Sequence, residues 1–360
     1  MRIVISAGGT GGHIYPALAI INKIKDMEPK SEFLYIGTTD RMEKDLIPEF
    51  NIPYVGIEMK GINRKKLLDN IKIFIMYKKA IKKAKLEIKK FNPDVVIGVG
   101  GYITAPVIIA AHKSGYKTMI HEQNSIPGVS NKHLEKYVDK VMVSLPNTME
   151  FFDKNKVVYT GNPRSEEIVG VKPANKKDLG LSVSKKLVVI VMGSLGSATI
   201  NRSEIEMISD FYDRSYEVLL VTGQRYYHEY DDLAIPKNVK VVPFVKNFSN
   251  VLKLADLIVS RAGASTIAEI TAIGLPSILV PSPYVTNNHQ FKNALELQKA
   301  GACVILEEKD FTSQNLLPLI DKILDDKSKY SEMVKNTKKL GVTDSASRVY
   351  NEIKKVVGER

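Results

Sequence analysis

The chain opens Met1-Arg2-Ile3-Val4-Ile5-Ser6-Ala7-Gly8-Gly9-Thr10-Gly11-Gly12-His13-Ile14-Tyr15-Pro16-Ala17-Leu18-Ala19-Ile20, and this stretch decides the fold. Arg2–Ser6 is a short run rich in β-branched residues, the composition of a buried strand. Four glycines in the five positions 8–12 follow it. Glycine accepts positive φ and lets the backbone come close to a ligand. Pro16 then falls in the first turn of a helix on which Ala17, Ile20, Ile21 and Ile24 recur at helical spacing. A strand, a glycine loop and a helix in that order open a doubly wound α/β domain. The N–H groups that start the helix favour a phosphate or a developing negative charge. No Gly-Lys-Ser/Thr follows the loop, and its glycines break the Gly-x-Gly-x-x-Gly spacing, which argues against a Walker loop and a dinucleotide site.

The same alternation continues outward. Strands are expected at Glu32–Ile36, Val95–Val99, Thr118–His121, Lys140–Ser144 and Val157–Thr160, and a second series at Leu187–Met192, Glu217–Thr222, Val239–Val242, Leu257–Ser260, Ser277–Val280 and Cys303–Leu306. The turn Gly161-Asn162-Pro163 separates the two series. We therefore expect a first domain over residues 1–162 and a second over 163–342. The tail 343–360 carries Val349, Ile353 and Val356 at helical spacing and is expected to pack back on the first domain. A chain of 360 residues fits two domains of ordinary size. Cys303 is the only cysteine, which excludes an intrachain disulfide and a cysteine-built metal site. The six histidines show no metal-ligand spacing. The apolar run at the N-terminus is too short for a signal peptide. Gly98, Gly100, Gly101 and Pro106 interrupt Val95–Ala111, the best candidate for a membrane span, so no transmembrane helix is expected.

Several further loops follow strands. Gly98-Val99-Gly100-Gly101-Tyr102 and Gly193-Ser194-Leu195-Gly196-Ser197 repeat the glycine-loop device, which suggests at least two phosphate-bearing ligands. His121-Glu122-Gln123-Asn124 ends a strand, where the carboxyl edge of a doubly wound sheet meets its ligand, and offers acid–base groups. Arg261-Ala262-Gly263-Ala264-Ser265-Thr266-Ile267-Ala268-Glu269 opens a helix with small residues. Glu269, one turn in, is a carboxylate suited to a ribose diol. Asn287-Asn288-His289-Gln290-Phe291-Lys292-Asn293 concentrates amides that suit sugar hydroxyls.

The net charge of +12 is localised. Lys60 to Lys90 holds 12 lysines or arginines against Asp69 and Glu87. Leu67, Leu68, Ile71, Phe74 and Ile75, continued by Ile81, Ala84 and Ile88, form the apolar face of this basic segment. The pattern suits a core-packed helix with a solvated lysine face, or an amphipathic helix lying on anionic lipid. No interleaved aromatics or recognition motif points to nucleic acid.

Taken in order, Gly8–His13, Gly98–Tyr102, His121–Asn124, Gly161-Asn162-Pro163-Arg164, Gly193–Ser197, Arg261–Glu269 and His289–Asn293 resemble the MurG family of peptidoglycan glycosyltransferases over essentially the whole chain. The resemblance implies two Rossmann-like doubly wound domains facing a cleft, the GT-B type. It implies transfer of N-acetylglucosamine from UDP-N-acetylglucosamine to the 4-hydroxyl of a lipid-linked muramyl pentapeptide, at the cytoplasmic face of the bacterial membrane. By resemblance Thr10, Gly11, Gly12, Asn124 and Arg164 approach the donor from the first domain. Ser194 holds its diphosphate, Val245 meets the uracil, and Ala264, Ser265 and Thr266 line the diphosphate and sugar. Glu269 takes the ribose, while Gln290 and Asn293 read the sugar. Leu195 departs from the glutamine common in the family and supplies no amide contact.

His13 is the first candidate for the base in an inverting displacement and Glu122 the second. Gly100, Gly101 and Tyr102 are assigned to the acceptor diphosphate. No Asp-x-Asp occurs, so no metal or other cofactor is expected. The expected partners are the two substrates and an anionic membrane surface. Rival readings are a UDP-N-acetylglucosamine 2-epimerase or a diacylglycerol glycosyltransferase of the same build, a lipid-binding or nucleotide-sensing module without turnover, and a nicotinamide dehydrogenase.

Overall fold

The opening strand pairs in parallel with Glu32–Thr38 on one side and Val95–Gly100 on the other, so it is the middle of its sheet. The structure, a computed structural model, describes residues 1–61, 69–193 and 196–358, and of 69–71 the backbone alone. The chain divides into two units, Met1–Glu166 with Asp344–Arg360, and Glu167–Thr343.

The first unit runs β1 (Arg2–Ala7), α1 (Gly11–Met27), β2 (Glu32–Thr38), α2 (Glu43–Leu46), β3 (Tyr54–Ile57), α3 (Asp69–Phe91), β4 (Val95–Gly100), α4 (Thr104–His112), β5 (Lys117–Glu122), α5 (Val129–Leu134), β6 (Lys140–Val143), β7 (Val157–Tyr159) and the start of α6 (Arg164–Gly170). Its seven-stranded sheet has the order β3-β2-β1-β4-β5-β6-β7, with every pair parallel. The order reverses between β1 and β4, and the loops leaving those strands flank that switch point. Alternate residues serve the two faces. Val4, Ile36, Val96 and Ile120 pack under α3 and α4, while Ile3, Ile5, Tyr35 and Ile97 pack under α1. Burial on both faces is why these strands read as unbroken apolar runs.

The second unit runs β8 (Leu187–Val191), α7 (Ala198–Met207), β9 (Glu217–Val221), β10 (Val239–Val242), α8 (Phe248–Leu252), β11 (Leu257–Ser260), α9 (Ala264–Ile273), β12 (Ser277–Leu279), α10 (His289–Lys299), β13 (Cys303–Ile305), α11 (Ser313–Asp325) and α12 (Lys327–Leu340). Its parallel sheet has the order β10-β9-β8-β11-β12-β13, with the switch point between β8 and β11. The chain ends in α13 (Ser345–Gly358), whose Val349, Ile353 and Val356 join the core beneath α1 in the first unit.

Two features differ from the sequence reading. β3 was not expected: Tyr54-Val55-Gly56-Ile57 is a four-residue edge strand after Pro53, too short for a period to show. The apolar face assigned to the basic segment is also not continuous. Ala80, Ala84 and Ile88 are buried in the core, whereas Phe74 and Ile75 are 58% and 50% exposed. At ~1.5 Å per residue the 23-residue α3 is about 34 Å long, against about 13 Å for the nine-residue α4 it packs on, so only part of it is covered. Leu67 and Leu68 lie outside the described residues, as does the side chain of Ile71.

Candidate active site

Parallel strands bring their carboxyl ends to one edge. In the first unit this gathers the glycine loop after β1, Gly100–Tyr102 after β4, Glu122–Asn124 at the end of β5, and Gly161–Arg164 after β7. The first loop and the β4 loop interlock. Gly8 N–H donates to the Gly100 carbonyl at 3.2 Å. A Cβ on Gly101, whose φ is +88°, would lie 2.4 Å from the Gly8 carbonyl oxygen. A Cβ on Gly100 would lie 2.4 Å from Cδ2 of His13. These glycines are therefore required by the packing of one loop on the other.

His13 sits in the first turn of α1, with its imidazole against Gly100 and its Nδ1 3.2 Å from the Gly8 carbonyl. A proton on Nδ1 satisfies that carbonyl and leaves the basic lone pair on Nε2. Thr10 is the N-cap, with extended backbone, and its carbonyl accepts the N–H groups of His13 and Ile14. Gly11 and Gly12 give the first turn, and the Arg164 guanidinium lies 5.6 Å from the ring centre of Tyr15 on the same helix.

The loop is not an open anion cradle. Its Gly9 N–H donates to the carboxylate of Glu43 at 3.1 Å. Glu43 is fully buried and also accepts the backbone N–H of Thr38 at 3.1 Å and its hydroxyl at 2.7 Å. A phosphate at the Gly8–Gly9 turn would meet a protein carboxylate already seated there.

His121 and Glu122, expected as acid–base groups, are both committed internally. His121 is buried; its Nε2–H donates to the Gly161 carbonyl at 3.0 Å and its Nδ1 accepts from the Gln123 amide at 2.9 Å. Burial pulls this imidazole down to about 4, so it is neutral near pH 7. Glu122 Oε1 accepts the Asn124 backbone N–H at 3.0 Å and side-chain amide at 3.2 Å, and Oε2 accepts Gly128 N–H at 3.0 Å and the Asn131 amide at 2.8 Å. Four donors use the lone-pair capacity of a carboxylate. This corrects the expectation of Glu122 as a second base: it holds the loop that presents Asn124. Tyr102, the remaining residue assigned to the acceptor diphosphate, is half-buried with its hydroxyl 3.4 Å from Arg41 Nε.

In the second unit the loops after β8 and β11 flank the switch point. Gly193 has φ +92°, and Ser194 lies outside the described residues. Gly196 must be glycine, because a Cβ there would be 2.5 Å from the Thr222 carbonyl. Ser197 then caps α7 and accepts a hydrogen bond from Arg261 Nη2 at 2.9 Å. Ala264, Ser265 and Thr266 form the first turn of α9, and Glu269 follows on the second turn, 7% exposed. The Ser265 hydroxyl is buried and has no hydrogen-bond partner among the described residues. Val245 is half-buried after β10. Gln290 accepts Ser282 N–H through Oε1 at 2.9 Å. Asn293 is buried and donates to the Ala262 carbonyl at 3.3 Å, bracing the β11–α9 turn from α10.

The sequence reading missed two groups. Glu43 stands in Met42-Glu43-Lys44-Asp45, which reads as a solvated charge run and carries no signal of its contact with the glycine loop. Arg261 was noted only as the start of a motif, yet its buried guanidinium ties Ser197 to the carbonyl of Val280, at 3.1 Å, and to Glu308. Among the described residues no group of three or more His, Cys, Asp or Glu could hold a metal ion.

Comparison with known proteins gives a consistent picture. Residues 3–143 match the glycosyltransferase family 28 N-terminal domain and residues 187–349 its C-terminal domain. A Bacillus cereus protein named UDP-N-acetylglucosamine–N-acetylmuramyl-(pentapeptide) pyrophosphoryl-undecaprenol N-acetylglucosamine transferase 1 is 47% identical over 99% of this chain and all of its own length. A Bacillus pumilus protein named as the corresponding transferase is 46% identical, covering 99% of each chain. The crystal structure of Acinetobacter baumannii MurG superposes with a TM-score of 0.78 at 27% identity, over 98% of this chain and 99% of that one.

Proposed function

The chain belongs to glycosyltransferase family 28, within its MurG group, and from that premise we propose that it transfers N-acetylglucosamine from UDP-N-acetylglucosamine to the 4-hydroxyl of a lipid-linked N-acetylmuramyl pentapeptide. The observation that carries the reaction type is His13. It stands at the carboxyl edge of a parallel sheet with Nδ1 directed to a carbonyl, and a proton on Nδ1 would make Nε2 the basic nitrogen.

In the proposed step the acceptor 4-oxygen gives its proton to His13 Nε2 and bonds to the anomeric carbon. The bond from that carbon to the diphosphate oxygen breaks, UDP leaves, and the configuration inverts. Thr10, Gly11, Gly12, Asn124 and Arg164 would approach the donor from the first unit. From the second, Ser194 and the first turn of α9 (Ala264, Ser265, Thr266) would receive its diphosphate. Amide groups at a helix start stabilise the charge left on the departing diphosphate, so the step is proposed as metal-independent. Glu269 would take the ribose, Val245 the uracil, and Gln290 and Asn293 the sugar. Gly100, Gly101 and Tyr102 remain the proposed contact for the acceptor diphosphate. The assay is UDP release. We expect release that depends on the lipid-linked acceptor and survives a chelator; release that ignores the acceptor would leave an epimerase or hydrolase instead.

A lipid-linked acceptor would bring the enzyme to a membrane surface, and α3 is the proposed contact, on the cytoplasmic side. No helix among the described residues is long and apolar enough to span a bilayer. Phe74 and Ile75 are exposed, Lys72, Lys78, Lys79 and Lys82 are exposed around them, and Lys78 Nζ lies 4.6 Å from the Phe74 ring centre. Each basic residue near an anionic surface contributes about 1 kcal/mol. Sedimentation with vesicles should show binding to anionic but not zwitterionic lipid, weakened by salt and by Phe74→Ser with Ile75→Ser. Equal binding to both lipids, or none to either, removes this contact.

A further inference from the structure

We infer that Glu43 is a positioning residue for His13 and acts through the single peptide bond that joins Gly8 to Gly9. That bond presents N–H on one side and C=O on the other. Glu43 Oε2 accepts the Gly9 N–H at 3.1 Å, and the Gly8 carbonyl faces His13 Nδ1 at 3.2 Å. Carboxylate, peptide and imidazole thus form one chain of hydrogen bonds. Hydrogen bonds in series polarise one another. The carboxylate draws the N–H outward, the carbonyl oxygen becomes more negative, and the Nδ1–H tautomer of His13 is favoured, as is the imidazolium formed when Nε2 takes a proton. A carboxylate bonded directly to a histidine does the same work in catalytic triads; here a peptide stands between.

The surroundings are shaped around this relay. A Cβ on Gly8 would lie 2.4 Å from Glu43 Oε1, and a Cβ on Gly37 would lie 2.8 Å from Glu43 Cγ. Both positions are clear only because they are glycine. Two backbone N–H groups and the Thr38 hydroxyl supply the donors that an ionised, acceptor-only carboxylate requires. The neighbouring ionisable groups include Tyr35 on β2, Tyr54 on β3, Asp40 and Arg41 before α2, Asp45 on α2, Tyr102 beside Arg41, and Tyr15 beneath Arg164. Burial, and then the charge of Glu43, push the Tyr35 and Tyr54 hydroxyls up, so neither ionises in the working range of His13.

The inference rests on His13 being the base, and its test separates the two. Nitrogen-15 NMR of the full-length protein reports the His13 tautomer without any substitution. The Nδ1–H form is expected, and a dominant Nε2–H form would overturn the relay. In Glu43→Gln the negative charge is lost at constant size. The His13 imidazole should then titrate lower, by on the order of half a pH unit. A base acts when neutral, so the acid limb of the kcat profile should move to lower pH by the same amount. The kcat plateau should drop roughly 10-fold or more, with the donor KM little changed. Glu43→Gln added to His13→Ala should cost little further, because the two act as one unit. A folded Glu43→Gln protein whose His13 titration and acid limb stay in place overturns the proposal. If His13→Ala alone keeps its turnover, the base assignment fails, while the tautomer and the titration shift still report the relay.

Discussion

Replacing His13 by alanine should lower kcat by about 10²- to 10⁴-fold while the KM for the sugar nucleotide changes little. The expectation follows from position. The imidazole packs on Gly100, and its Nδ1 is turned to the Gly8 carbonyl, so removal deletes a proton acceptor and opens a small space above a glycine. The side chain lies on α1 beyond the end of β1, so no strand is disturbed and the variant should fold. His13→Asn sharpens the result. Its amide can still donate toward the Gly8 carbonyl but offers no basic nitrogen, and it should lose as much turnover as alanine. Steady-state UDP release at saturating donor and acceptor measures both. If His13→Ala kept turnover within a few-fold of the parent, the proton would have to leave by another route. Glu122 is a poor replacement, since Asn124, Gly128 and Asn131 already occupy its oxygens.

Much of this arrangement was readable from local pattern. The strand and helix of the opening unit could be read because β1 is buried on both faces and α1 shows a clear period over Ala17, Ile20, Ile21 and Ile24. The same held for all six strands of the second unit, each apolar and bounded by turn residues. β3 escaped because an edge strand of four residues containing a glycine carries too little periodicity. The glycine loops were visible, but their meaning was not. Glycine density looks the same whether it admits a phosphate or another segment of the chain. Gly100, Gly101 and Gly196 are glycine because His13, the Gly8 carbonyl and the Thr222 carbonyl come too close for a Cβ. Likewise, His121-Glu122 sits where catalytic groups gather, and only the hydrogen bonds of each side chain separate a reacting group from one that braces a loop. Glu43 lies 34 residues from Gly9, in a segment with no distinguishing pattern, and only the tertiary fold brings the two together.

The largest stability loss is expected at Arg261. Its guanidinium is almost wholly buried, donates to Ser197 Oγ and the Val280 carbonyl, and lies 2.6 Å from Glu308 Oε2, close although not aligned as a hydrogen bond. The Glu308 carboxylate is itself buried, and the Thr199 hydroxyl is its other partner at this site. Arg261→Met keeps the unbranched apolar stem and removes the charged guanidinium, leaving Glu308 uncompensated. Breaking a buried pair from one side costs about 3–5 kcal/mol. The second unit should therefore melt well below the parent. Ser197 loses its anchor at the start of α7, so the KM for the sugar nucleotide should rise as well.

Glu308→Gln in the same chain should restore most of the stability, because the stranded charge is gone, but not the donor affinity. Glu204 adds a pH dependence. Burial pushes its carboxyl up to about 8, opposed by the Tyr230 hydroxyl and then by the charge of Arg261. The folded group keeps its proton to about pH 8, whereas the unfolded one releases it near 4.5, so stability falls as pH rises across that window. Without Arg261 the folded carboxyl should hold its proton to still higher pH, and the decline should extend further upward. Denaturant melts of parent, single and double variants at pH 6 and pH 9 measure each part. A single variant within about 1 kcal/mol of the parent at both pH values would mean that water reaches Glu308 and that the ion pair does not hold the loop.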